Sequence, residues 1–198
     1  MATPKPDYDA TTALVVVDVQ NDFADASGSL YVRDGEKAIP YINQEIEEAE
    51  RADAFVVYTQ DWHPDATPHF AKYGGDWPVH CVADTWGAEL QRSLLVAGPS
   101  VRKGVGGEDG YSGFTIRDPR TGEESPTELL SLLREHSIAK VVVVGLATDY
   151  CVKDTAIDAA KLGFDTTVLA NCIRAVDLEP GDGSRAIADL VAGGVAIA

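Results

Sequence analysis

The chain has 198 residues, 45% hydrophobic, 24% charged and 8% aromatic, a composition that excludes disordered, fibrous and membrane classes and gives length for one domain, 1–198, with a full core. Its 16 Lys and Arg stand against 32 Asp and Glu, a net charge of -16, so phosphate backbones and anionic membranes are repelled and neither nucleic acid nor a membrane is an expected partner. The opening Met1–Asp7 lacks the basic-then-apolar pattern of a leader, and the longest apolar runs are too short to span a bilayer, so a cytoplasmic protein is expected.

In chain order, Ala13–Asp18 is a β-branched run ending on an acid, the pattern of a strand buried on both faces of a parallel sheet. Ile39, Ile42 and Ile46 recur at helical spacing within about 36–51, and Ala54–Thr59 is a second β run, so the two strands and helix form a βαβ unit. From Gln60 to Trp86 no periodicity survives, while Pro, Gly, His, Asp and Trp accumulate; a loop this long in a compact domain builds a site. Val101–Gly104 ends a short strand, and the glycines of the 104–125 excursion exclude a helix through Gly113. Ser125-Pro126-Thr127-Glu128 reads as a helix start, with Ser125 as N-cap, and the helix runs to His136. Lys140–Gly145 is the clearest central strand; Asp149–Gly163 reads as a helix with Cys151 in its first turn; Phe164–Leu169, Ser184–Val191 and Val195–Ile197 continue the alternation. The expected fold is α/β, doubly wound, with a mostly parallel central sheet and helices on both faces.

Such sheets bind ligands outside the carboxyl ends of their strands, where Asp18, Lys103 and Cys151 fall. Singly, these are an ion-pairing acid, a surface lysine and a small buried residue. Together they make a proton-transfer carboxylate, a cation and a nucleophile, whose thiol a helix N-terminus and an ammonium would acidify. Cys81 and Cys172 read as buried packing residues; three widely spaced cysteines form no disulfide framework. Three of the chain's 4 histidines, His63, His69 and His80, share one loop with Asp61. Strand alternation sends Asp61 and His63 to one side, and imidazoles with a carboxylate suit zinc, iron or manganese in a catalytic rather than a structural site. Trp62, Trp77 and Phe70 are loop anchors in the same segment, and His136 is a partner for a helix C-terminus.

These motifs resemble the isochorismatase-like cysteine hydrolases and, among them, the nicotinamidases (pyrazinamidases). The likeness runs through Asp18-Val-Gln20-Asn21-Asp22-Phe23, through Asp61-Trp-His63 with His69 and Trp77-Pro-Val-His80-Cys81, and through Gly145-Leu-Ala-Thr-Asp-Tyr-Cys151-Val. The resemblance implies a triad of Asp18, Lys103 and Cys151, and one divalent metal held by Asp61, His63, His69 and His80 that the substrate's pyridine nitrogen approaches. It implies a cis peptide before Ala147, an oxyanion hole from the amides of Ala147 and Cys151, and pocket walls from Phe23, Trp77, Tyr111 and Tyr150. Tyr150, the acidic glycine stretch with Glu108 and Asp109, and the excursion after Phe114 depart from the family pattern. The implied reaction converts nicotinamide to nicotinate and ammonia through a thioester, in NAD salvage, with pyrazinamide as a further substrate. The alternative is a metal-free relative acting on a carbamoyl or ureido compound or on isochorismate. A small-molecule substrate is the expected partner, and a homo-oligomer is left open.

Overall fold

The computed structural model describes residues 7–198; the segment 1–6, which carries most of the leader argument, lies outside them. The elements are β1 (Thr12–Val17), α1 (Asn21–Ala24), α2 (Gly35–Arg51), β2 (Phe55–Asp61), β3 (Ser100–Lys103), β4 (Thr115–Arg117), β5 (Glu124–Pro126), α3 (Leu129–Glu135), β6 (Lys140–Leu146), α4 (Lys153–Lys161), β7 (Asp165–Arg174), α5 (Asp182–Ala192) and β8 (Ala196–Ile197). Among the described residues no helix is long and apolar enough to cross a membrane.

Six strands form one sheet in the order β3-β2-β1-β6-β7-β8, every neighbouring pair parallel. The chain winds outward from β1 to β3, returns beside β1 as β6, and winds outward the other way. The reversal between β1 and β6 is the switch point at which doubly wound sheets hold ligands. Alternation along β1 supplies both cores: Leu14 and Val16 pack with Ile39, Ile42 and Ile46 of α2, while Ala13, Val15 and Val17 pack with Leu129 and Leu133 of α3, Ala156 of α4 and Leu190 of α5. Each fully buried aliphatic side chain contributes roughly 1.5–3 kcal/mol. The two central strands meet at Val17 and Gly145. There Gly145 has φ +117°, and a Cβ would lie 2.1 Å from the Val17 carbonyl, so only glycine fits.

The expected helix start at Ser125 is incorrect. Glu124–Pro126 pair antiparallel with Thr115–Arg117 instead, a hairpin in which proline's missing N–H is tolerated at an edge. The helix begins at Leu129 after Glu128, and the Thr127 Oγ1 accepts the Leu129 N–H at 3.1 Å. The helix expected from Asp149 opens as a π-helical turn, Thr148–Val152, before α4. β7 runs past the predicted Leu169 to Arg174 through a register shift against β6, which the exposed Ala170 and Asn171 conceal in the sequence. His136 caps α3 as expected, its Nδ1 2.9 Å from the Leu132 carbonyl. All three cysteines are free and buried.

Tyr58 of β2 is fully buried and donates to the Leu95 carbonyl at 2.8 Å; burial pushes its phenol up to about 12. The unfolded phenol titrates near ~10. The folded state therefore favours the neutral form, and this stability is complete below ~10 and lost as pH rises toward about 12. Calorimetric melting between pH 9 and 12 is expected to show a falling Tm, and a Tyr58→Phe variant a shallower fall.

Candidate active site

Asp18 is the first residue beyond β1, held at φ +48°. Its Oδ1 accepts the Thr59 hydroxyl at 2.6 Å, and its Oδ2 lies 2.8 Å from Lys103 Nζ. Lys103, the last residue of β3, also lies 2.9 Å from Asp61 Oδ1 at the end of β2 and donates to the Gly110 carbonyl. Three adjacent strand ends thus converge on one ammonium. Lys103 is 0% exposed, which removes the surface-lysine reading. Burial favours its neutral form, but Asp18 and Asp61 outweigh that and hold the ammonium well above its usual range. Burial likewise pushes Asp61 up, yet Lys103, His63 and His80 outweigh it and hold that carboxyl well below the usual range. For Asp18 burial prevails over Lys103, and the carboxyl is raised.

Cys151 sits in the π-helical turn that follows β6 and the Leu146–Ala147 cis peptide. Its Sγ and carboxylate oxygens of Asp18 and Asp61 all lie within 4.8 Å of one another. Burial pushes the thiol well above its usual range, against the opposing pull of Lys103. The expected acidification by a helix N-terminus is therefore corrected: burial outweighs it and raises the thiol. Asp18 is a neighbouring carboxylate whose own pKa burial raises.

Across the floor, His63, His69 and His80 offer ring nitrogens within 4.8 Å of one another, and Asp61 Oδ2 is 3.9 Å from His63 Nε2 and 3.8 Å from His80 Nε2. Two of the rings are oriented from behind: His80 Nδ1 lies 2.7 Å from the Pro78 carbonyl and His69 Nδ1 2.7 Å from Asp109 Oδ1. Both nitrogens of His63 are buried without a hydrogen bond, and Asp61 Oδ1, though beside Lys103, lies outside hydrogen-bonding geometry. Each unpaired His63 nitrogen costs roughly 1–3 kcal/mol. Burial lowers the His69 pKa and so favours neutral imidazole, the ligating form. The residues fit a divalent cation.

The cavity above is lined by Cys151, Asp61, His69 and His80 on one side and by Phe23, Trp77, Tyr111 and Tyr150 around the walls. Trp77 donates its indole N–H to the Tyr111 hydroxyl at 2.7 Å and stands edge-on to Tyr150, centroids 4.9 Å apart. The result is a slot for a flat ring. Asp18 and Lys103 lie beneath the floor and do not line it.

The isochorismatase domain family matches residues 12–197. The nicotinamidase/pyrazinamidase of Mycobacterium tuberculosis is 40% identical over 172 residues, covering 84% of this chain and 88% of that one. The chain belongs to the isochorismatase family. Among solved structures, the pyrazinamidase of Pyrococcus horikoshii in complex with zinc superposes with a TM-score of 0.84 at 36% identity, covering 95% of this chain and 98% of that one. PnC1 from L. infantum in complex with nicotinate gives 0.88 at 34%, covering 100% and 96%.

Within the isochorismatase architecture several residues without an individual role in the sequence reading prove to hold the site. Gln20 grips the backbone of Asp61 from both sides, its Oε1 accepting the Asp61 N–H at 2.8 Å and its Nε2 donating to the Asp61 carbonyl at 2.7 Å. Asp22 accepts the Cys81 N–H at 2.7 Å and the Ser29 N–H at 3.0 Å, tying the residue after His80 to the loop before Leu30. Asp149 accepts the amides of Val176 and Asp177 at 3.0 and 2.9 Å, fixing Val176 in the cavity wall. The signal available was a polar side chain in or beside a motif; its partners, distant in sequence, carried none.

Proposed function

We propose that the chain is a single-domain, cytoplasmic nicotinamidase of NAD salvage, hydrolysing nicotinamide, and pyrazinamide with it, to the carboxylate and ammonia. The observation that carries the reading is the meeting, at one aromatic slot, of a buried thiol–carboxylate–ammonium cluster and three histidines whose ring nitrogens lie within 4.8 Å of one another, both of those on His63 without a hydrogen bond. A metal-free hydrolase of ureido compounds or isochorismate would leave those histidines without a task.

In the proposed reaction Asp18 takes the Cys151 proton as sulfur attacks the amide carbon, and the carbonyl π electrons move to oxygen, held by the N–H groups of Ala147 and Cys151. The carbon–nitrogen bond then breaks, the proton passes from Asp18 to the departing nitrogen, and ammonia leaves a thioester. Water adds to that carbon and gives a proton to Asp18; the carbon–sulfur bond breaks, and the proton returns to sulfur. Lys103 stays charged throughout and offsets the charge that accumulates between Asp18 and the substrate. Asp61, His63, His69 and His80 would hold one zinc, iron or manganese ion, which supplies a Lewis acid for the ring nitrogen of the substrate. Phe23, Trp77, Tyr111 and Tyr150 enclose the ring.

Ammonia release from nicotinamide is expected from the purified protein, lost on chelation and restored by zinc, manganese or iron. Release that survives complete chelation would remove the metal from the reading, and no release with any of the three would overturn the substrate.

A further inference from the structure

Asp109 lies in the strap 104–111 between β3 and the cavity wall, in the stretch that departs from the family pattern, and the reaction above gives it no task. Its side chain is 13% exposed, and it does not belong to the metal-ligand set. The strap is stitched to the histidine loop at alternate residues. The Gly107 carbonyl accepts the Thr67 hydroxyl at 2.7 Å, Asp109 Oδ1 meets His69 Nδ1 at 2.7 Å, and the Tyr111 hydroxyl accepts the Trp77 indole at 2.7 Å. Thr67 Oγ1 also accepts the His69 N–H at 3.2 Å, so His69 is held to the strap through both its backbone and its ring.

Asp109 is itself fixed from the opposite side. Its N–H and carbonyl exchange hydrogen bonds with Arg117 of β4, both at 2.8 Å, and its Oδ2 faces the Arg117 guanidinium at 3.7 Å. A carboxylate so anchored accepts the Nδ1 proton, fixes the tautomer with the lone pair on Nε2, and strengthens that nitrogen as a donor to a cation. Among the described residues, His69 is the histidine of the cluster whose ring is oriented by a charged group; His80 uses a carbonyl, and both nitrogens of His63 have no hydrogen bond.

We propose that Asp109, held by the β4 hairpin, is a positioning residue that fixes His69 as a metal ligand and so sets the affinity of the site for its ion. The inference rests on the metal-binding part of the proposed function. Its test therefore reads metal directly, by competition of zinc with a fluorescent chelator and by the visible spectrum of the cobalt-loaded protein, with no turnover involved.

Asp109→Asn, which keeps the shape and removes the charge, is expected to weaken zinc binding ~10-fold, and Asp109→Leu, which removes the acceptor, up to ~100-fold, with a change in the cobalt spectrum. If the leucine variant does not fold, the asparagine variant decides alone. In a His69→Ala background Asp109→Asn is expected to change zinc affinity by no more than about twofold, because its effect passes through His69. Unchanged affinity in the folded Asp109 variants, or an equal loss with His69 already removed, overturns the inference while leaving the metal site standing. Failure of the unsubstituted protein to bind zinc or cobalt overturns both, and that titration precedes any variant.

Discussion

Cys151→Ala is expected to lower nicotinamide turnover by at least ~10⁴-fold while the variant still melts cooperatively and still binds nicotinate. The magnitude follows from removing the covalent route altogether; a residual rate from positioning and oxyanion contacts is all that remains in comparable nucleophile knockouts. The thiol's own environment sharpens this expectation. Because burial pushes the Cys151 thiol up, the proposed reaction depends on a base beside it, and Asp18→Asn should approach the same floor. The measurement is steady-state ammonia release against active-site concentration. Turnover by Cys151→Ala within tenfold of the parent would remove sulfur from the chemistry.

Lys103→Met is expected to cost stability as well as activity, by about 3–5 kcal/mol, the usual consequence of removing one partner from a buried ion cluster. The ammonium lies 2.8 Å from Asp18 and 2.9 Å from Asp61, all three side chains at or near complete burial. Without it two carboxyls face each other with burial and mutual repulsion, and both effects raise an acid's pKa. An acid raised in the folded state destabilises it at pH values above its unfolded pKa near ~4. The defect should therefore be largest at neutral pH and shrink as pH falls toward ~4. Urea midpoints of both proteins at pH 7.5 and pH 5 would show this; an equal difference at the two values would mean that the lost stability is packing and not charge.

The strands were legible because they are buried on both faces: Ala13–Val17 and Val141–Val144 are short continuous apolar runs rich in valine, the pattern of parallel strands covered on both sides. The four-residue histidine and aspartate cluster was legible from its concentration in one loop. The β4–β5 hairpin was not, since Glu124–Pro126 is exposed throughout and its Ser-Pro pattern is equally that of a helix start. Local capping chemistry cannot reveal that Thr115–Arg117 is waiting to pair. The direction of the Cys151 shift was not legible for a related reason: a dipole argument reads the turn alone, whereas burial is decided by the walls around it. Gln20, Asp22, Asp109 and Asp149 act on backbone or side-chain atoms from 27 to 59 positions away, and spacing within a motif does not encode such partners.

The convergence of strand ends has a consequence for how the molecule comes together. Asp18, Asp61 and Lys103 close β1, β2 and β3, whereas Cys151 follows β6, so the proposed base, metal carboxylate and cation belong to the β3-β2-β1 half of the sheet and the proposed nucleophile to the β6-β7-β8 half. The halves join where β1 pairs with β6 over six residues, Thr12–Val17 against Lys140–Gly145, and the exposed turn between β4 and β5 lies between them in sequence. On the proposed function, a nascent chain that has emerged only as far as that turn carries the histidine loop and the acid without the thiol. The chemistry so proposed therefore requires the seam between β1 and β6, and no activity is expected before that seam has formed.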